Sequence, residues 1–136
     1  MKLVICIDDR GGMVFNKRRV SRDKLMISDL CEYIGDETLF ITPYSEELFS
    51  EQSLNIIVSE NALEFAEEDD FVFVEREKPE PYMAAAKEVV IYKWNRRYPF
   101  DMAMTKAPTE LGFKLFSVFE FQGNAHDKIT REVYKK

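Results

Sequence analysis

At 136 residues, with 46% apolar and 13% aromatic side chains, the chain is long enough for one hydrophobic core and too apolar for disorder. No apolar run reaches the ~18–20 residues that span a bilayer, so no membrane partner is expected, and the stretch from Met1 to Ile7 is too short for a signal-peptide core. The formal charge of −6 argues against general nucleic-acid binding, yet residues 10–24 hold six cations against Asp23 alone, a local +5 that leaves −11 on the rest.

In chain order, residues 2–7 form an apolar run that ends in Asp8-Asp9-Arg10-Gly11-Gly12, which reads as a buried strand entering a loop. Residues 22–34 carry Ile27, Leu30, Cys31 and Ile34 at helical spacing, with Ser21 as the expected N-cap, Asp23 at the positive end of the dipole and Gly35 as the stop. Residues 38–42 are a second strand, and Pro43 starts a short helix. Residues 54–58 are a third strand, followed by a helix from Ser59 to about Glu67. Residues 71–74 are a fourth strand, a helix begins at Pro79–Pro81 and ends near Lys87, and residues 89–92 are a fifth strand.

This alternation predicts βαβ units and a parallel sheet. After residue 95 the pattern changes. Residues 113–121 are β-rich, Gln122-Gly123-Asn124 makes a turn, and residues 129–134 are a last strand. The expected fold is α/β in three layers: a mixed, mainly parallel sheet, helices on both faces, and a C-terminal antiparallel hairpin, in one domain over residues 1–136. Cys6 and Cys31 fall on core-facing positions and read as buried free thiols of a reducing compartment, so a cytoplasmic location is expected.

The first candidate site is a crevice formed by Asp8, Asp9, Asn16, Arg18, Arg19 and Arg22 with Asp23. Ligands of parallel α/β sheets sit beyond the carboxyl ends of strands, where Asp8 and Asp9 lie. The arginines match an anionic group. Asp23, at the edge of an apolar helix face, is the candidate acid with a raised pKa, or the anchor for a cationic nitrogen. Charged loop clusters are more often structural pairs. A second cluster, Tyr92 to Asp101, interleaves aromatics and cations, so that Trp94 and Arg96 can clamp a planar ring; it reads equally as a strand end and a proline turn. His126, the only histidine, falls in a turn and reads as a surface residue. A single histidine excludes His-rich metal centres, while a carboxylate-only magnesium site at Asp8 and Asp9, serving metal-dependent phosphate chemistry, stays open as an alternative function. The +5 segment and the nine carboxylates between Glu60 and Glu80 also make a homodimer conceivable through opposite charges.

Four stretches resemble dihydrofolate reductases across nearly the whole length: residues 3–13 its first strand and loop, Ser21-Arg22-Asp23-Lys24-Leu25 the start of its acid-bearing helix, Asn55-Ile56-Ile57-Val58-Ser59 its N-I-I-L-S strand, and residues 116–126 its closing hairpin. The resemblance implies that fold, a substrate-binding acid at Asp23 and NADPH as cofactor. The family's phosphate-binding motifs are replaced, however. Thr42-Pro43-Tyr44-Ser45 stands for Gly-Arg-x-Thr, and Glu75-Arg76-Glu77-Lys78 stands for the Gly-Gly pair. Glutamate there adds bulk and negative charge against a pyrophosphate. The expectation is therefore a protein that binds a small anionic or planar ligand and does not work as an NADPH-dependent reductase.

Overall fold

The computed structural model describes residues 1–52 and 55–136. Strand β1 (Lys2–Ile7) lies at the centre of a seven-stranded sheet. Its neighbours are both parallel: β6 (Phe71–Val74), with Leu3 opposite Val72, and β7 (Glu88–Lys93), with Leu3 opposite Val89. Burial on both faces explains the continuous apolar run of this strand, since neither side meets water.

Beyond β6 lie β4 (Thr38–Ile41) and the edge strand β5 (Asn55–Val58), both parallel to β1. On the other side β10 (Ile129–Lys135) pairs antiparallel with β7, and β9 (Lys114–Phe121) closes that edge. The sheet order β5-β4-β6-β1-β7-β10-β9 is the expected mixed, mainly parallel sheet with an antiparallel C-terminal hairpin. Leu54, the expected first residue of β5, lies outside the described residues.

Alternating side chains build two cores, one on each face. On one, helix α1 (Lys24–Ile34) lays Met26, Ile27, Leu30 and Ile34 against Val4, Phe71, Phe73 and Val90, and Phe49 of the 3-10 helix Pro43–Phe49 joins them. On the other, Leu3, Ile5, Val72, Val74, Val89 and Ile91 pack with Ala62 of α2 (Ala62–Phe65) and Met83 of α3 (Glu80–Met83). Burying a side chain such as Leu30 contributes about 1.5–3 kcal/mol.

Both short helices stop earlier than expected. In α2 the Ser59 hydroxyl accepts from Asn61 N in a turn instead of capping a helix, and Asp70 closes a turn on Glu67 N. After α3, Ala85 and Ala86 donate three residues back, and Lys87 N turns to Met1 O. The N-cap of α1 is Asp23 and not Ser21. Cys6 and Cys31 are free but only half-buried.

A second, three-stranded sheet escaped the sequence reading: β2 (Gly12–Phe15) between β3 (Arg18–Arg19) and β8 (Met102–Ala103). Its strands of two to four residues are too short to show a period. Gly11, at φ +82°, starts it where a Cβ would strike the Met104 carbonyl.

Candidate functional site

The residues expected to line one crevice divide into two groups, and most of their charge is spent inside the protein. Asp8 is buried at the end of β1. Its Oδ1 accepts from Gly12 N at 2.6 Å and Arg10 N at 2.8 Å, and its Oδ2 accepts from Tyr98 N at 3.0 Å. These bonds shape the turn behind β1. Asp9 points to solvent, and among the described residues no three metal-ligating side chains converge.

Asp23 is the centre of the first group. Its Oδ1 accepts from the amides of Leu25, Met26 and Asn124, and its Oδ2 accepts from Ala125 N and from His126 Nδ1 at 2.9 Å. Burial alone would raise this carboxyl. The bonds from His126 and the amides outweigh it and hold Asp23 below its ordinary range, which corrects the expectation of a raised pKa. With five donors already on its two oxygens, Asp23 is a staple between α1 and the β9–β10 connection. Gly123 is required beside it, because a Cβ there would collide with Asp23 Oδ2.

His126 is therefore not a surface residue; it is only 5% exposed. An ionised carboxylate only accepts, so Nδ1 carries the proton and Nε2 faces Ser21 Oγ and Tyr98 Oη, each at 2.9 Å. The two hydroxyls, 3.2 Å apart, also bond each other, Ser21 Oγ donating to Tyr98 Oη. The Trp94 indole stacks on the imidazole at 4.6 Å and 19°. Trp94 is thus buried under His126 and clamps nothing from outside, whereas Arg96 is exposed. Trp94, Ser21 and Glu75 line a void of about 10 Å³, and the buried indole Nε1 meets no acceptor among the described residues. Such a void holds about one water.

Arg19 leads to the second group. Its guanidinium grips Glu75 in a two-point pair at 2.7 and 3.0 Å, reaches Glu47 at 2.8 Å, and lies over the Tyr44 ring. Ser45 Oγ donates to the same Glu75 at 2.6 Å. The two segments expected to have replaced phosphate-binding turns, Thr42–Ser45 and Glu75–Lys78, are therefore joined to each other through Glu75. They also join the basic segment to the acidic one inside one protomer. Arg18 is exposed, and among the described residues Arg22 reaches only Glu47, at 3.7 Å.

Above this junction the protein is open. A cavity of about 580 Å³ lies at the carboxyl ends of β4 and β6, whose connections leave in opposite directions, the position where open α/β sheets bind ligands. Val14, Ala62, Leu63, Val72 and Val74 supply its apolar wall. Tyr44 stands in it with the Arg76 guanidinium 3.8 Å from the ring centroid. Four carboxylates, Glu60, Glu75, Glu77 and Asp101, face two cations, Lys17 and Arg76. The Asn16–Lys17 turn overhangs the mouth with both residues at positive φ (52° and 67°), tied down by Asn16 N donating to Asp101. Of the residues expected to bind a ligand, only Asn16 lines this cavity.

Of the cavity residues, Leu63 gave no signal in the sequence, whereas Tyr44 and Arg76 lie in the two segments that the resemblance set at the family's phosphate-binding motifs. The cue that existed was topological: the ends of the second and fourth expected strands.

No family model matches the chain, and no curated protein matches it in sequence. Among solved structures, a dihydrofolate reductase from Enterococcus faecalis, complexed with NADP(H) and RAB-propyl, superposes with a TM-score of 0.65 at 9% identity. The match covers 98% of this chain and 94% of that one. Sheet order, crossovers and closing hairpin are accordingly those of a dihydrofolate reductase-like fold.

Proposed function

We propose that the chain binds a small planar molecule, uncharged or bearing a cationic nitrogen, in the cavity between the Asn16–Lys17 turn and the ends of β4 and β6, and that it does not work as an NADPH-dependent reductase. The observation that carries this reading is the cavity itself: about 580 Å³, apolar on one wall, with Tyr44 and Arg76 presenting flat surfaces. That volume suits a ligand of a few fused rings. A rim with four carboxylates and two cations favours a neutral or cationic guest over the anionic one expected from the arginines.

Against NADPH stands Glu75. It lies at the end of β6 with its carboxylate fixed by Arg19 and Ser45, so a pyrophosphate would meet a rigid side chain in place of bare backbone, and the nearest half-buried cation is already paired.

Thermal-shift and calorimetric titration with a 2,4-diaminopyrimidine, a neutral pterin and NADPH test both halves. The expected result is stabilisation by one of the two planar compounds and none by NADPH, with the stabilisation lost when Leu63→Trp fills the cavity. A shift with NADPH would overturn the second half. A planar-compound shift that survives Leu63→Trp would move the site elsewhere.

A further inference from the structure

Of the two flat groups that stand in the cavity, Tyr44 and Arg76, only Arg76 keeps a free face. Arg19 lies over the Tyr44 ring at 4.3 Å and Arg76 at 3.8 Å. The two arrive from opposite sides: Arg19 borders the small void beside Trp94, and Arg76 borders the cavity. An aromatic ring has room for one guanidinium on each face, so Tyr44 is closed above and below. It is also fixed in place, because its hydroxyl accepts from Arg19 N at 2.9 Å and its carbonyl accepts from Arg19 Nη2 at 3.2 Å. Arg19 in turn is held by Glu75 and Glu47.

Arg76 ends this stack. By the alternation of an extended chain, Val72, Val74 and Arg76 fall on one face, and all three line the cavity. Among the described residues no ion pair or hydrogen bond engages the Arg76 side chain, so the Tyr44 ring is what holds it. A guanidinium donates along its edge and is weakly hydrated over its faces. Its outer face is therefore a flat cationic surface that a ring can cover at little cost in lost water.

We infer that this outer face seats the ligand's ring, and that it sets the ligand class: an uncharged fused heteroaromatic with N–H donors on its edge. The inference rests on the cavity reading above and narrows it. A ring with its own positive charge would lie against the guanidinium at a spacing like the 3.8 Å kept from Tyr44, where like charges repel. A neutral ring instead offers the negative face that attracts a cation. The rim carboxylates then act on the edge of the ring. Glu75 is committed to Arg19 and Ser45, and Asp101 to Asn16 N. Glu77 accepts from the Tyr82 hydroxyl with one oxygen, and among the described residues Glu60 accepts nothing. These two are the acceptors left for amino or ring N–H groups.

Calorimetric titration with two planar probes tests the inference: a neutral pterin and the permanently charged N-methylquinolinium. The parent should bind the pterin more tightly. Arg76→Gln keeps a flat amide without the charge, and should weaken the pterin about tenfold while strengthening N-methylquinolinium. Arg76→Lys keeps the charge without the plane, and should weaken the pterin while leaving N-methylquinolinium as poor as in the parent. Both variants should melt with the parent, since the side chain is exposed. A pterin that binds Arg76→Gln at full strength but is lost in Leu63→Trp overturns the inference and leaves the cavity reading standing. So does a parent that prefers N-methylquinolinium, an Arg76→Gln that weakens both rings equally, or an Arg76→Lys that binds the pterin as the parent does. If none of the planar compounds binds the parent, the cavity reading falls and this inference falls with it.

Discussion

The crevice around Asp23 and the cavity above Glu75 share a wall and have opposite characters. In the first, the buried polar groups are bonded from within: Asp23 takes five donors, Asp8 takes three, and His126 is bonded at both nitrogens. In the second, Arg76, Lys17 and Glu77 have room around them. Residue type alone does not separate a binding site from a staple. What separates them is whether the hydrogen-bonding capacity of the polar groups is already used.

The largest expected effect breaks the first region. Asp23→Ala strips a buried imidazole and four amides of their acceptor and should cost about 3–5 kcal/mol in urea unfolding. Asp23 also dictates an acid limb. Its folded-state pKa lies below the ordinary 3.8, so the folded state holds fewer protons near that pH. Its contribution is present above about pH 4 and is lost as pH falls through the lowered folded value. In Asp23→Asn this part of the acid-induced loss should disappear, while the variant is less stable than the parent at neutral pH.

Next in size is the junction between the regions. Glu75→Gln leaves Arg19 half-paired and should cost about 2 kcal/mol by chemical denaturation. An unchanged midpoint would show that the junction is solvated in solution. Smaller still is Tyr44→Ala, which removes a half-buried ring from the cavity wall. It should lower stability by about 1 kcal/mol while weakening binding of any planar ligand about tenfold or more, and the split between the two readouts is the test. The smallest effect should have the opposite sign. Lys17→Gly relieves a non-glycine residue at φ 67° and should stabilise by up to about 1 kcal/mol, read as a small rise in melting temperature. If it weakens binding at the same time, the strain is held for the ligand.

Much of the fold was legible because burial leaves periods in a sequence. The runs 2–7, 71–74 and 89–92 are strands buried on both faces, and Ile27, Leu30 and Ile34 form the one long helical stripe. The short second sheet was not, since strands of two to four residues repeat nothing. Among the site residues, Asp23 stood out by position at a helix start. Its partner lay 103 residues away and looked like a turn histidine.

By itself the sequence determined the order of elements, the reversal to antiparallel after residue 95 and the location of charge. These depend on local propensity and on which side chains avoid water. Tertiary structure alone decided which charges are free. A hydrogen bond between Asp23 and His126, or between Glu75 and Arg19, exists only once the chain has brought distant segments within about 3 Å. Until then a staple and an active site are written in the same residues.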